Sequence, residues 1–375
     1  MITKKRITYI VSNINKALAF EWVVQYLSKD KFELSFILLN PGDSVLERFL
    51  IEHKTPFIRI SYHGKKDLPG AISQIRQFLK KNQTEVVHCH LFDANVAGLI
   101  AARLTGIKKR IFTRHHATFH HQYFPRAVWY DRFINRMASD IIAISENVRH
   151  VLIKKEKVNS NKITLIHHGF ELEKFREISE EKVNKLKDRY KTLGKYPVIG
   201  VISRYFELKG IQYIIPAFKS LLDSYPNAHL VLANATGNYK QEIEQLLQTL
   251  PPNSYTEIPF EEDLFSLYQT FDIFIHVSIN TDIEAFGQTY VEALAAGIPS
   301  IFTLSGVAAE FIQDGKNALV VPFKNSDAIT DACKKILVDS NLQNTLIENG
   351  IKSVEEQFAL KHMISKLESL YLENS

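Results

Sequence analysis

Short runs rich in β-branched and aromatic residues alternate with longer amphipathic stretches along the whole chain, and the rhythm starts over once. In the first half the short runs fall at 6–12, 34–39, 57–60, 86–90, 110–113, 141–144 and 163–166, with helical stretches such as 16–28, 70–81, 94–104 and 126–138 between them. They resume at 198–203, 229–233, 272–277, 300–303 and 318–321. Strands separated by helices of this length need crossover connections and so pair in parallel, which predicts an α/β chain with two parallel sheets. A chain of 375 residues also exceeds what one hydrophobic core ordinarily serves. The expected division is a first domain over 1–172, a connection over 173–196 broken by Gly194 and Pro197, a second domain over 197–355, and a C-terminal helix in 356–375 that packs back on the first domain. Parallel sheets bind ligands at the carboxyl ends of their strands, so the chemistry is expected in a cleft between two facing domains.

Charge separates the halves. Residues 1–170 carry 27 Lys and Arg against 13 Asp and Glu, whereas 171–375 carry 19 against 28. A basic first half suits an anionic acceptor or peripheral contact with a membrane, or is simply a set of solvated helix faces. No nucleic-acid-binding motif accompanies the charge, and no nucleic-acid partner is expected. No apolar run reaches the roughly 18 residues of a membrane-spanning helix, and no signal-peptide pattern opens the sequence. Cys89 and Cys333 lie in different halves without metal-ligand spacing, so both are read as buried thiols. The expected location is cytoplasmic, with at most peripheral attachment to the inner face of a membrane.

One segment carries most of the functional information: Glu284-Ala-Phe-Gly-Gln-Thr-Tyr-Val-Glu292-Ala-Leu-Ala-Ala-Gly-Ile-Pro299. A strand pattern precedes it, and Gly297 and Pro299 end the helix that follows. Glu284 is then in the loop and Glu292 in the helix. The amides of Phe286, Gly287, Gln288 and Thr289 are the unpaired donors of a first turn, with Gly287 permitting close approach, which makes an anion site suited to a pyrophosphate. Glu292, four residues after Gln288, can reach a diol beside that anion, and Glu284 can accept from hydroxyls of a sugar. Two surface glutamates flanking an ordinary helix would be the plain alternative.

The segment resembles the signature of family 4 of the retaining glycosyltransferases, which have the GT-B fold of two Rossmann-like domains. Ser203-Arg204-Tyr-Phe-Glu-Leu-Lys209-Gly210 resembles the family's Arg…Lys-Gly element. The resemblance implies that Arg204 and Lys209 grip the donor pyrophosphate, an arrangement to which a guanidinium is well matched. Leu165-Ile-His-His-Gly169-Phe-Glu-Leu-Glu-Lys-Phe175 and the Ser-Glu-Asn-Val stretch at 145–148 are similar to passages of the acceptor domain, with His168 where Asn is usual. The chain departs from the family in two loops. Ser12-Asn13-Ile14-Asn15-Lys16 lacks the usual Gly-Gly, leaving Asn13 and Lys16 as candidate cleft-lining residues, and Ala233-Asn234-Ala235-Thr236-Gly237 replaces Gly-x-Gly.

Eleven of the fourteen histidines lie in the first 170 residues. Thr113-Arg114-His115 resembles a Thr-x-His element whose histidine faces the donor sugar, which makes His115 a candidate catalytic group beside Glu284. His116 is a candidate for the acceptor path. His88 and His90 alternate on one strand with no carboxylate at ligand spacing, the chain has no Asp-x-Asp motif, and no metal is expected. The stretch Tyr123-Phe-Pro-Arg126-Ala-Val-Trp129-Tyr130-Asp-Arg132-Phe133 suits a sugar acceptor or a membrane interface, but packing of Trp129 and Phe133 onto the sheet is the favoured expectation.

What the resemblance implies is a retaining, metal-independent glycosyltransferase of hexosyltransferase type. It needs no cofactor, with a UDP- or GDP-linked sugar as co-substrate and a glycan or lipid-linked saccharide as acceptor. A sugar-nucleotide epimerase of the same fold and a non-catalytic sugar-nucleotide or nucleic-acid binder are the alternatives. The base, the sugar and the acceptor stay open.

Overall fold

The computed structural model describes residues 4–373. The chain divides into two compact units, one made of the residues up to Gly169 together with those from Leu360 onward, the other of Phe170–Ala359.

The first unit is built on seven strands: β1 (Lys5–Ser12), β2 (Phe32–Asn40), β3 (Phe57–Ser61), β4 (Val86–His90), β5 (Lys109–Arg114), β6 (Asp140–Ala143) and β7 (Ile163–Leu165). They are all parallel, in the order β3-β2-β1-β4-β5-β6-β7. Residues of β4 are buried throughout, as expected of a central strand covered on both faces. Helix Leu360–Leu372 completes this unit. It inserts Tyr371 into the core, where its hydroxyl bonds that of Tyr9 and lies 2.7 Å from His88 Nδ1.

The second unit has β8 (Val198–Ile202), β9 (His229–Ala233), β10 (Tyr255–Ile258), β11 (Ile273–His276), β12 (Ser300–Phe302) and β13 (Leu319–Val320). Their order is β10-β9-β8-β11-β12-β13, again all parallel. Both units therefore have the doubly wound arrangement in which strand order reverses beside the first strand, and ligands bind at the carboxyl ends on either side of that reversal. In the second unit those ends are Ile202 of β8 and His276 of β11.

The structure corrects the expected boundaries. The stretch 173–196 is not a separate connection: its helix Glu180–Arg189 belongs to the second unit, where Arg189 and Tyr190 both bond Glu261. Strand β10 was absent from the sequence reading; it is a four-residue edge strand, too short for its alternation to stand out.

The loop after β1 shows how the missing glycines are managed. Asn13 itself takes the left-handed conformation, φ 53°, which asparagine tolerates better than most residues, and its side-chain amide donates to Asp93 Oδ2 at 3.2 Å. Asn234 likewise takes the left-handed conformation after β9, with φ 60°.

Candidate active site

Three pieces of the second unit meet at the ends of β8 and β11. The first is the turn after β8, Ser203 to Gly210, in which Arg204 is exposed with its guanidinium 4.7 Å from the Phe206 ring centroid. Gly210 ends this turn at φ 73° and starts helix Ile211–Leu222; a Cβ there would lie 1.8 Å from the carbonyl oxygen of Val277. The turn is thus clamped against the end of β11, which fixes where Lys209 emerges. The second piece is the end of β11 itself, with His276 and Ser278 on one face. The third is the loop and helix Gln288–Ala295, entered through Gly287 at φ 85°. A Cβ on Gly287 would meet the Tyr290 ring at 2.5 Å, so both the backbone conformation and the packing demand glycine.

Glu284 is where the three converge. Its Oε1 accepts from Lys209 Nζ at 2.5 Å, from Ser278 Oγ at 2.7 Å and from His276 Nε2 at 3.2 Å, although the residue is only 6% exposed. Burial by itself would raise this carboxyl's pKa, but the ammonium of Lys209 and the His276 hydrogen bond override it and hold the group ionised well below the usual range. A carboxylate with fixed orientation and only acceptor capacity suits hydroxyl donors. Burial pushes the pKa of His276 down, so near neutrality its imidazole is uncharged, with Nε2–H toward Glu284.

Glu292 sits one turn into the Gln288–Ala295 helix and accepts from the Tyr268 hydroxyl at 2.7 Å. Burial raises its pKa and the Tyr268 bond counters it. The N-cap residue Gly287 has no side chain to cap this helix, and its carbonyl accepts from Tyr290 N at 3.1 Å. Phe286 is buried and stacks 6.2 Å from Phe170, so its contribution to the loop is backbone placement and packing. Of the residues the sequence assigns to one locus, the structure joins Lys209 to Glu284 and sets Phe286, Gly287, Gln288, Thr289 and Glu292 along the loop and helix that follow; Arg204 lies in the turn after β8 against Phe206, and Glu292 bonds Tyr268. The structure adds His276, Ser278 and Tyr268. His276 at the end of β11 and Ser278 two residues on, just before the loop, are the signal for the first two; Tyr268 leaves none.

In the first unit, His115 follows β5 and shares a 3.2 Å hydrogen bond through Nε2 with His90 Nδ1 at the end of β4. His168 stacks on His115 at 5.8 Å, and His88 joins Thr113 Oγ1 at 2.8 Å. Burial drives the pKa values of His88 and His115 down to about 3 and that of His168 to about 4, so near neutrality these are uncharged hydrogen-bonding groups. His90, which the sequence pairs with His88 on one strand, is a member of this chain of rings and is buried against Tyr9 and Phe20. Lys16 and Asn13 are exposed in the loop after β1, and His116 faces Asp131 at 3.4 Å.

The aromatic stretch is arranged otherwise than expected. Helix Ala127–Met137 packs through Asp131, Ile134 and Asn135, whereas Trp129 is 74% and Phe133 42% exposed. The inward face is the polar one because Arg114, buried at the end of β5, requires Asp131 as its partner, 3.2 Å away. Among the described residues no helix is long and apolar enough to cross a membrane.

Two family models match the chain, one described as glycosyltransferase family 4 over residues 23–174 and one as glycosyl transferases group 1 over residues 182–353. The chain is 30% identical over 316 residues to the capsular polysaccharide biosynthesis glycosyltransferase CapM of Staphylococcus aureus, covering 81% of this chain and 80% of that protein. It is 22% identical over 366 residues to the UDP-Gal:alpha-D-GlcNAc-diphosphoundecaprenol alpha-1,3-galactosyltransferase of Escherichia coli, covering 93% and 91%. The fold superposes on that of Anabaena HepE, solved in complex with UDP and glucose, with a TM-score of 0.83 at 18% identity over 97% of this chain and 98% of that one.

Proposed function

The chain belongs to the group 1 glycosyl transferases, a glycosyltransferase of GT-B fold, and from that premise we propose that it moves a hexose from a UDP- or GDP-linked donor to a hydroxyl of a glycan or lipid-linked saccharide, with retention and without a metal. The observation that supports this reading is an ionised, oriented Glu284 held by Lys209, Ser278 and His276 immediately before a glycine-entered helix start.

In the proposed reaction the donor diphosphate is held by Arg204, Lys209 and the amides from Phe286 to Thr289, which stabilise the charge that grows on it as the anomeric C–O bond breaks. Lys209 has three N–H donors and one bond to Glu284 in this structure, so it can keep that carboxylate while binding a phosphate oxygen. Glu284 accepts from hydroxyls of the transferred sugar, and Glu292 from the ribose. The electron pair of the broken bond leaves with the diphosphate. The acceptor oxygen bonds the anomeric carbon on the same face and passes its proton to a phosphate oxygen. His115, uncharged and steadied by His90, offers a hydrogen bond to a sugar hydroxyl.

The acceptor class is supported by the relatives' own substrates, one of them a diphosphoundecaprenol-linked sugar. Contact with a membrane is assigned to helix Ala127–Met137. Trp129, Phe133 and Arg136 lie at i, i+4 and i+7 on its open side with Tyr130 and Arg132 beside them, and Asp131, the sole acid from 119 to 137, is buried. Aromatic rings with arginines and no exposed carboxylate complement an anionic lipid surface. Cys89 and Cys333 are both free and buried, in keeping with a reducing cytoplasm.

The deciding experiment is a thermal-shift screen of UDP, GDP and other nucleotides, followed by transfer from the matching labelled sugar nucleotide in the presence of EDTA. Stabilisation by UDP or GDP and EDTA-resistant transfer to an oligosaccharide or lipid-linked saccharide are expected. Turnover restored only by a divalent cation, or epimerisation of the donor without transfer, would overturn the reading.

A further inference from the structure

A second polar cluster lies in the first unit, at the end of β5. His116, in the loop after that strand, and His120, in the short helix Phe119–Tyr123, have ring centroids 4.0 Å apart. Asp131 approaches both from helix Ala127–Met137, with Oδ2 2.8 Å from His120 Nδ1 and Oδ1 3.4 Å from His116 Nε2. One donor atom from each of the three lies within 4.8 Å of the others, the one such group among the described residues.

We propose that His116 Nε2, His120 Nδ1 and Asp131 bind a divalent cation of the zinc or cobalt type, held for structure and taking no part in sugar transfer. Ligand atoms on a tetrahedral zinc, with bonds of about 2.0–2.2 Å, stand roughly 3.3–3.5 Å apart; Asp131 lies 2.8 and 3.4 Å from the two imidazole nitrogens, and all three ligand atoms lie within 4.8 Å of one another. Two imidazoles with one carboxylate suit zinc or cobalt better than magnesium or calcium, which take oxygen ligands.

The surroundings are prepared for a cation. Arg114 is buried between two carboxylates, Asp131 at 3.2 Å and Glu156 at 2.6 Å. One positive and two negative charges leave the cluster net negative when the imidazoles are neutral. Arg114 Nε also donates to His116 O at 3.0 Å, and Glu156 is fixed by Asn135 Nδ2 at 2.6 Å and His121 Nε2 at 3.2 Å, so the ligands have an outer shell that orients them. The side chains of His116 and His120 are 26% and 16% exposed, which gives a cation a way in and leaves a position for water. On binding, His120 keeps its proton on Nε2. The bond ties the helix Phe119–Tyr123 to helix Ala127–Met137.

The test uses untagged full-length protein stripped with EDTA and desalted. Titration with Co²⁺ should give the visible absorption of four- or five-coordinate cobalt, saturating at one equivalent and displaced by Zn²⁺, and Zn²⁺ should raise the melting temperature. His120→Ala should lower Co²⁺ affinity by more than roughly 100-fold, and His120→Gln should do the same if the alanine variant folds poorly. The exposed His63→Ala should bind as wild type does. Absence of a saturable cobalt spectrum in wild-type protein, or an unchanged one in the folded His120 variant, would mean that the three side chains form a hydrogen-bonded tie only and would overturn the proposal.

Discussion

Glu284, nearly buried, accepts three hydrogen bonds on one oxygen, one from the turn after β8 and two from the end of β11. Losing Lys209 therefore removes both the proposed phosphate ligand and the cation that keeps Glu284 ionised. Lys209→Ala and Arg204→Ala are expected to lower kcat by about 10- to 100-fold, the size of one lost hydrogen bond to a charged group. Glu292→Ala should mainly raise the KM for donor, because its proposed contact is to the ribose and not to the reacting centre. Steady-state kinetics on the three purified variants checks this; unchanged constants in all three would remove the site from the β8–β11 ends. Most of these residues were legible because they sit in one contiguous motif. Tyr268, which holds Glu292, comes from elsewhere in the chain, and the pairing of His90 with His115 is made only by the fold.

At the scale of elements, the alternation of strands and helices was readable because β-branched runs in covered parallel strands are almost continuously apolar. The edge strand β10, with Tyr-Thr-Glu-Ile, has no such run. Helix Ala127–Met137 shows the opposite failure: its apolar residues suggested which side faces the sheet, but a buried arginine outbid them, drawing the Asp131 side inward and turning Trp129 and Phe133 out. That reversal yields a prediction. Wild-type protein should sediment with vesicles containing anionic lipid and much less with neutral ones. At about 1 kcal/mol per arginine near a charged surface, Arg132→Ala combined with Arg136→Ala should weaken partitioning about 30-fold, and Trp129→Ala should weaken it on both kinds of vesicle. Equal binding of wild type and variants would detach this helix from the membrane role.

For the molecule as a whole, the buried histidines make an acid-sensitive fold. Burial disfavours the charged form and pushes the pKa of His88 and His115 down to about 3 and that of His168 down to about 4, against about 6.5 when unfolded. Between these values the unfolded chain binds protons that the folded chain does not, so stability is full above about 6.5 and falls as pH drops toward 4. The melting temperature should be lower at pH 5 than at pH 7.5 by at least about 5 °C, measured by scanning calorimetry; a flat profile would show that these rings are hydrated or paired differently.

The helix Leu360–Leu372 gives the chain an order of completion. The second unit is one continuous stretch, but the first needs Tyr371 against Tyr9 and His88, and Glu368 against Ser28 N and Lys31 Nζ. As the polypeptide leaves the ribosome, the unit begun first is therefore the one sealed last. Until the codons for the helix Leu360–Leu372 are read, the core beside β1 and β4 lacks Tyr371, with the second unit already made.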